Sequence, residues 1–189
     1  MPAQQPPTTA GQAIKLDNLS VLVVDDQANA RMLIRTMLRA FRISRIVEAE
    51  DAASGYMAYQ AQDVDIVLTD WWMPSMDGIE LVRKIRRSSV GNPYIPIIMI
   101  SGFSERAHVM VARDAGITEY LSKPLSVASL FQKLVTIVEK PRRFVKCETY
   151  LGPDRRRKAG QGPNGTEHRG NPQVGALPGI ITASKEVAA

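Results

Sequence analysis

Five short runs of apolar and β-branched residues punctuate the first two thirds of the chain: SVLVV (20–24), RIVEA (45–49), DIVLT (65–69), IPIIMI (95–100) and TEYLS (118–122). Between them the apolar positions return at helical spacing instead. Ala30, Leu33, Ile34, Met37, Leu38 and Phe41 mark the first such interval, and Ile79, Val82 and Ile85 mark the third. A last helical stripe, Leu130, Leu134 and Val138 with Phe131 and Val135, follows Ser126, a residue suited to cap a helix N-terminus. This alternation predicts five β-α repeats within about 120 residues. Near-continuous apolar strands alternating with helices imply an α/β protein, its parallel sheet covered on both faces, and right-handed crossovers leave few topologies.

The flanks differ from this pattern. MPAQQPPTTAGQ carries three prolines and no charge, which predicts a disordered leader over residues 1–17, before an ordered domain over 18–140. From Pro141 the chain turns rich in Gly, Pro, Arg and Asn and loses periodicity, so 141–189 reads as a largely disordered tail. The net charge of +5 lies entirely there: residues 1–140 hold 15 Lys+Arg against 15 Asp+Glu, and 141–189 hold 9 against 4.

Composition then removes several chemistries. No apolar stretch approaches the ~20 residues that cross a bilayer, and no basic-then-apolar signal opens the chain, so a cytoplasmic protein without membrane insertion is expected. The single cysteine, Cys147, allows neither an internal disulfide nor a cysteine zinc cluster. His108 and His168 alone make histidine metal sites and triads poor candidates; His108 is expected to face solvent and Cys147 to be a passive thiol.

What remains is a set of acids at strand ends. Ligands of open parallel sheets bind outside the carboxyl ends of the strands. There the first strand offers Asp25 and Asp26, the third Asp70, the fourth Ser101, and the fifth runs into Lys123-Pro124. With the doubly wound order 2-1-3-4-5, taken over from known five-stranded sheets, the first and third strands are neighbours and the acids converge. Two unit charges ~4 Å apart repel by roughly 4 kcal/mol at an effective dielectric of 20, so the cluster calls for a cation. Oxygen ligands with an open coordination shell suit Mg²⁺, and Lys123 adds a compact positive charge. QANA follows the paired acids where a phosphate-binding loop would have glycines. A carboxylate that itself accepts a phosphoryl group is the simplest alternative, and Asp70 is best placed as that nucleophile.

VVDDQ, LTDWWMPSMDGIELVRKIR, MISG and YLSKPL, in that order and spacing, resemble the receiver domain of two-component response regulators over about residues 18–140. The resemblance implies a stand-alone, CheY-like protein with a flavodoxin-like sheet of order 2-1-3-4-5 and five helices. It implies phosphorylation of Asp70 by a sensor histidine kinase or histidine phosphotransfer protein. Mg²⁺ would be held by Asp25, Asp26, Asp70 and the backbone carbonyl of Trp72; Lys123 would contact the phosphate, with Ser101 and Tyr120 as switch residues. Such a protein is no turnover enzyme and catalyses only its own phosphorylation and dephosphorylation.

Phosphorylation takes a carboxylate from about −1 to about −2 and adds acceptor oxygens. Ser101 moving toward them would let Tyr120 turn inward and alter the face of helix 4, strand 5 and helix 5, where a downstream protein binds. Pro74 and Gly78 shape the turn into helix 3, where Asp77 meets the helix N-terminus. Trp72 and Phe103, each two residues beyond a site residue, are bulky enough to hinder water and predict a long-lived acyl phosphate.

Two rival functions differ in class. An aspartate-based, Mg²⁺-dependent phosphohydrolase uses the same strand-end acid but needs a second carboxylate two residues on, where Trp72 stands. A nucleic-acid-binding module would act through FVKCETYLGPDRRRK and the run Arg155–Lys158, yet the tail has no helix-turn-helix or zinc spacing, so sequence-specific DNA reading is not expected. Whether Phe144 and Tyr150 dock this segment on the domain stays open at the level of sequence.

Overall fold

A computed structural model describes residues 16–155. The leader before Leu16 and the chain after Arg155, with most of the basic run, lie outside the described residues. Five parallel strands form one sheet in the order β2-β1-β3-β4-β5: β1 Ser20–Val24, β2 Arg45–Ala49, β3 Ile66–Asp70, β4 Ile97–Ser101 and β5 Glu119–Ser122. The connecting helices are α1 Ala28–Ala40, α2 Ala52–Ala61, α3 Gly78–Arg86 and α4 Arg106–Ala115, and α5 Val127–Glu139 follows β5. The expected fold class and strand order therefore hold. The third and fourth strands begin one and two residues later than the apolar runs suggest; Pro96, which has no N–H for a ladder, leaves β4 to start at Ile97.

Every residue of β1, β3 and β4 is buried, and successive side chains go to opposite faces. Leu22, Val24, Val67, Ile97 and Met99 pack toward α2, α3 and α4 in one core. Val21, Val23, Ile66, Leu68, Ile98 and Ile100 pack toward α1 and α5 in a second. The stripes foreseen for α1 and α5 supply Ile34, Met37, Leu38, Leu130 and Leu134 to the latter, while Leu33 turns outward. Helix α2 has no clear apolar stripe; a reciprocal cap starts it, with the Ser54 N–H donating to Asp51 Oδ1 at 2.7 Å and the Asp51 N–H to Ser54 Oγ at 3.3 Å. Ser126 and Ser129 cap α5 in the same way.

The tail departs from its expected disorder within the described residues. Phe144–Cys147 (β6) and Tyr150–Pro153 (β7) form an antiparallel hairpin seated at the amino ends of β4 and β5, away from the acidic rim. Arg86 organises the seat. Its buried guanidinium donates to the carbonyls of Gly116 (2.9 Å), Pro93 (2.7 Å) and Ile95 (2.7 Å), and it lies 5.1 Å from the centre of the Phe144 ring. Burial pulls its pKa down to about 9, so it is still charged at neutral pH. Phe144 also meets Tyr94 edge-on at 5.7 Å, Arg142 donates to the carbonyls of Thr118 and Asp154, and Arg155 pairs with Asp114 at 3.5 Å.

Two glycines allow the close approach. Gly116 caps α4 at φ +106°, and a Cβ there would lie 2.8 Å from the Leu151 carbonyl; one on Gly152 would lie 2.9 Å from Gly116 Cα. Truncating Arg86 leaves buried carbonyls without donors at ~1–3 kcal/mol each. Arg86→Met is thus expected to cost at least about 2 kcal/mol, read as a fall of several degrees in Tm and faster hydrogen exchange in β6 and β7; an unchanged melting curve would contradict this seat.

Candidate functional site

Register sets the site. Val24 pairs with Thr69, so Asp25 and Asp70 come level at the carboxyl edge of adjacent strands. Asp70 pairs with Ile100 and Ser101 with Ser122, which brings Ser101 and Lys123 to the same rim. The Lys123 N–H donates to the Ser101 carbonyl at 2.7 Å, and the Lys123–Pro124 bond is cis. One ligand oxygen from each of Asp25, Asp26 and Asp70 falls within 4.8 Å of the others. Lys123 Nζ lies 2.8 Å from Asp70 Oδ1 and 3.4 Å from Asp25 Oδ2.

Backbone partners hold the acids in place. Gln27 N–H donates to Asp25 Oδ1 at 2.9 Å, and Arg31 Nη1 donates to the Asp25 carbonyl at 2.7 Å while reaching toward Glu48 at 3.7 Å. Sequence reasoning missed Arg31, although its place in the first turn of α1, six residues after Asp25, was the available signal. Below Asp70, α3 packs so tightly that a Cβ on Gly78 would sit 2.0 Å from the Asp70 carbonyl oxygen, which accounts for glycine there. The Gly78 N–H takes the Trp71 carbonyl at 2.8 Å, and Asp77 caps α3 by accepting from Glu80 N at 2.8 Å, as its position predicted.

Charge at this rim is out of balance. Asp25 and Asp70 are almost fully buried, and one ammonium serves both. Burial raises the pKa of the Asp70 carboxyl above the usual carboxylate range, with the Asp25 charge adding to the rise; the hydrogen bond and charge of Lys123 oppose it without prevailing. Burial alone would lower the pKa of Lys123, but its bond and attraction to Asp70 more than reverse that, so it rises. A simple ion pair would depress the acid. Here desolvation by burial prevails over the Lys123 pairing, and the Asp25 charge adds a smaller push in the same direction.

The remaining predicted residues lie around this mouth. Trp72 is 72% exposed beside it, whereas Trp71 is buried beneath the loop. Ser101 is buried and its Oγ accepts from the Phe103 N–H at 3.1 Å. Tyr120, half-buried, donates its hydroxyl to the Phe103 carbonyl, so it already reaches the loop without turning further. His108, expected to face solvent, keeps 38% of its side chain exposed and also stacks on the Phe103 ring at 4.5 Å.

The response regulator receiver domain family model matches residues 21–135. This chain belongs to the response regulator receiver family. The receiver is 33% identical over 129 residues to chemotaxis protein CheY-3 of Vibrio cholerae, covering 68% of this chain and 98% of that one. It is 30% identical over 122 residues to chemotaxis protein CheY of Pseudomonas aeruginosa, covering 65% and 98%. Among solved structures, chemotaxis protein CheY4 of Vibrio cholerae superposes with a TM-score of 0.59 at 25% identity, over 63% of this chain and 98% of that one. The receiver domain of a sensor histidine kinase from Pseudomonas aeruginosa PAO1 gives 0.56 at 27%, over 62% and 94%, and that structure has a magnesium ion coordinated in its active site cleft. The match ends before β6, so the hairpin lies outside the family model.

A carboxyl whose pKa is raised by folding favours the folded state while protonated and loses that advantage as pH rises through its folded value. At neutral pH the ionised Asp70 therefore costs stability. Asp70→Asn is expected to melt a few degrees above wild type at pH 7 in the absence of divalent ions. That gap should narrow as pH falls toward the ordinary carboxylate value of about 3.9; a gap independent of pH would contradict a raised Asp70 pKa, and one of opposite sign would show that pairing with Lys123 prevails over burial.

Proposed function

We propose that this receiver accepts a phosphoryl group on Asp70 from a phosphohistidine donor, a sensor histidine kinase or a histidine phosphotransfer protein, and passes the signal on by altering the α4, β5 and α5 face or by handing the phosphoryl group onward. The observation that carries this is the convergence of Asp25, Asp26 and Asp70 within 4.8 Å, with Lys123 Nζ 2.8 Å from the Asp70 oxygen. An Asp70 oxygen attacks phosphorus in line, the phosphorus–nitrogen bond of the donor breaks, and the imidazole leaves with the bonding pair and takes up a proton. Lys123 steadies charge on the transferred group, and Ser101 offers its hydroxyl hydrogen to a new phosphoryl oxygen.

The donor set fits a hard divalent cation. All three side chains offer oxygen, and Asp26 Oδ1 is buried without a hydrogen-bond donor among the described residues. Asp25, Asp26 and Asp70, with the Trp72 carbonyl as the further expected ligand, would hold Mg²⁺. When bound, Mg²⁺ neutralises charge on the acids and on the phosphoryl oxygens. A phosphohydrolase is not favoured, since Trp72, exposed at the mouth, supplies no acid two residues after Asp70. No helix among the described residues is long and apolar enough to cross a membrane; a kinase or phosphotransfer donor of the proposed kind would be met in the cytoplasm. Of the basic run only Arg155 is described, and it pairs with Asp114 at 3.5 Å.

Incubation with acetyl phosphate and Mg²⁺ is expected to add one phosphoryl group by intact mass to wild type and none to Asp70→Asn. Modification that persists in Asp70→Asn would overturn the assignment. Trp72 and Phe103 beside the mouth should slow water attack, so the phosphoryl group on Trp72→Asn is expected to decay at least severalfold faster than on wild type. Equal decay rates would remove Trp72 as a shield.

A further inference from the structure

Phe103 is joined to its surroundings at four points. Its ring lies flat on His108 in the first turn of α4, at 4.5 Å with 10° between planes, and meets Trp71 edge-on at 5.8 Å and 74°. Trp71 also meets His108 edge-on at 5.5 Å, which closes the cluster, and Glu105 lies 2.6 Å from His108 Nδ1. The Phe103 N–H occupies Ser101 Oγ, and the Phe103 carbonyl takes the Tyr120 hydroxyl. One loop residue thus touches both switch residues, the neighbour of the phosphoacceptor and the start of α4.

We propose that Trp71, Phe103 and His108 form an aromatic clasp on the β4–α4 loop, and that Phe103 is the positioning residue through which a phosphoryl group on Asp70 reaches α4. This rests on the function proposed above. The Ser101 hydroxyl can donate to a phosphoryl oxygen while its oxygen still accepts the Phe103 N–H, so a Ser101 that moves toward Asp70 draws the Phe103 backbone with it. Its ring then leaves Trp71, or slides along it, and carries His108 and the first turn of α4 with it. Stacked rings with offset centres and edge-on rings are each favourable at these separations, so the closed clasp holds the loop in the unphosphorylated arrangement. Tyr120 follows through the Phe103 carbonyl. No covalent step is involved; the clasp sets how far the loop equilibrium lies toward the resting side.

The test compares wild type, Phe103→Ala, Phe103→Tyr and His108→Ala, each with Mg²⁺ alone and with Mg²⁺ and acetyl phosphate. Intact mass reports phosphorylation, and hydrogen exchange reports amides 104–110. In wild type, phosphorylation is expected to speed exchange in that segment. In Phe103→Ala it should already be faster before phosphorylation, by about two- to tenfold for each aromatic pair lost, with little further change on phosphorylation. His108→Ala should show a smaller effect of the same sign, and Phe103→Tyr, which keeps the ring, should restore wild-type behaviour. If wild type and Phe103→Ala are both phosphorylated and their segments respond equally, the clasp is refuted while the phosphoacceptor stands. If wild type gains no phosphoryl group, the proposed function fails and the clasp with it.

Discussion

The receiver is organised around one ammonium shared by buried carboxylates. Lys123 lies within ion-pair distance of Asp25 and Asp70, while Asp26 keeps a buried oxygen without a donor among the described residues. Such a rim is stable only because the sheet beneath it is held from both sides: β1 and β3 are buried on each face, so the ends that carry the acids cannot spread to relieve their repulsion. The packing that stabilises the fold therefore also maintains the crowding. That crowding is what leaves the acids suited to a divalent cation and to a phosphoryl group.

The same economy extends to the loops. Gly78 lets α3 press onto the Asp70 carbonyl, and Arg31 ties the Asp25 carbonyl to α1, so Asp70 and Asp25 are both held through their backbones. The side-chain oxygens remain directed to the mouth. On the neighbouring strands the arrangement is looser: the loop after Ser101 is exposed and held by the Phe103 bonds and rings rather than by core packing. Rigid acids beside a lightly held loop are what a switch needs, because a change of charge can then be answered by movement on one side only.

Much of this was legible in the sequence. Strands buried on both faces leave continuous apolar runs, and residues immediately beyond such runs fall at the rim, which is why the sequence alone points Asp25, Asp26, Asp70, Ser101 and Lys123 to one edge. Boundaries shifted where backbone chemistry overrode pattern, as at Pro96. The hairpin was not legible, since Phe144 and Tyr150 sit among glycines, prolines and cations with no period, and their partners, Arg86, Tyr94 and Gly116, are distant in sequence. His108 escaped for a related reason: a lone histidine on a short helix has no signature of stacking until the loop before it is folded.

The hairpin has a steric consequence. It seats the outgoing chain at the floor of the sheet, where Arg155 meets Asp114 at the last turn of α4, while the acids open at the roof. Whatever is joined to the chain after Arg155 is leashed at the end remote from Asp70. Among the described residues, the hairpin and the acidic mouth therefore stand at opposite ends of the sheet and share no surface.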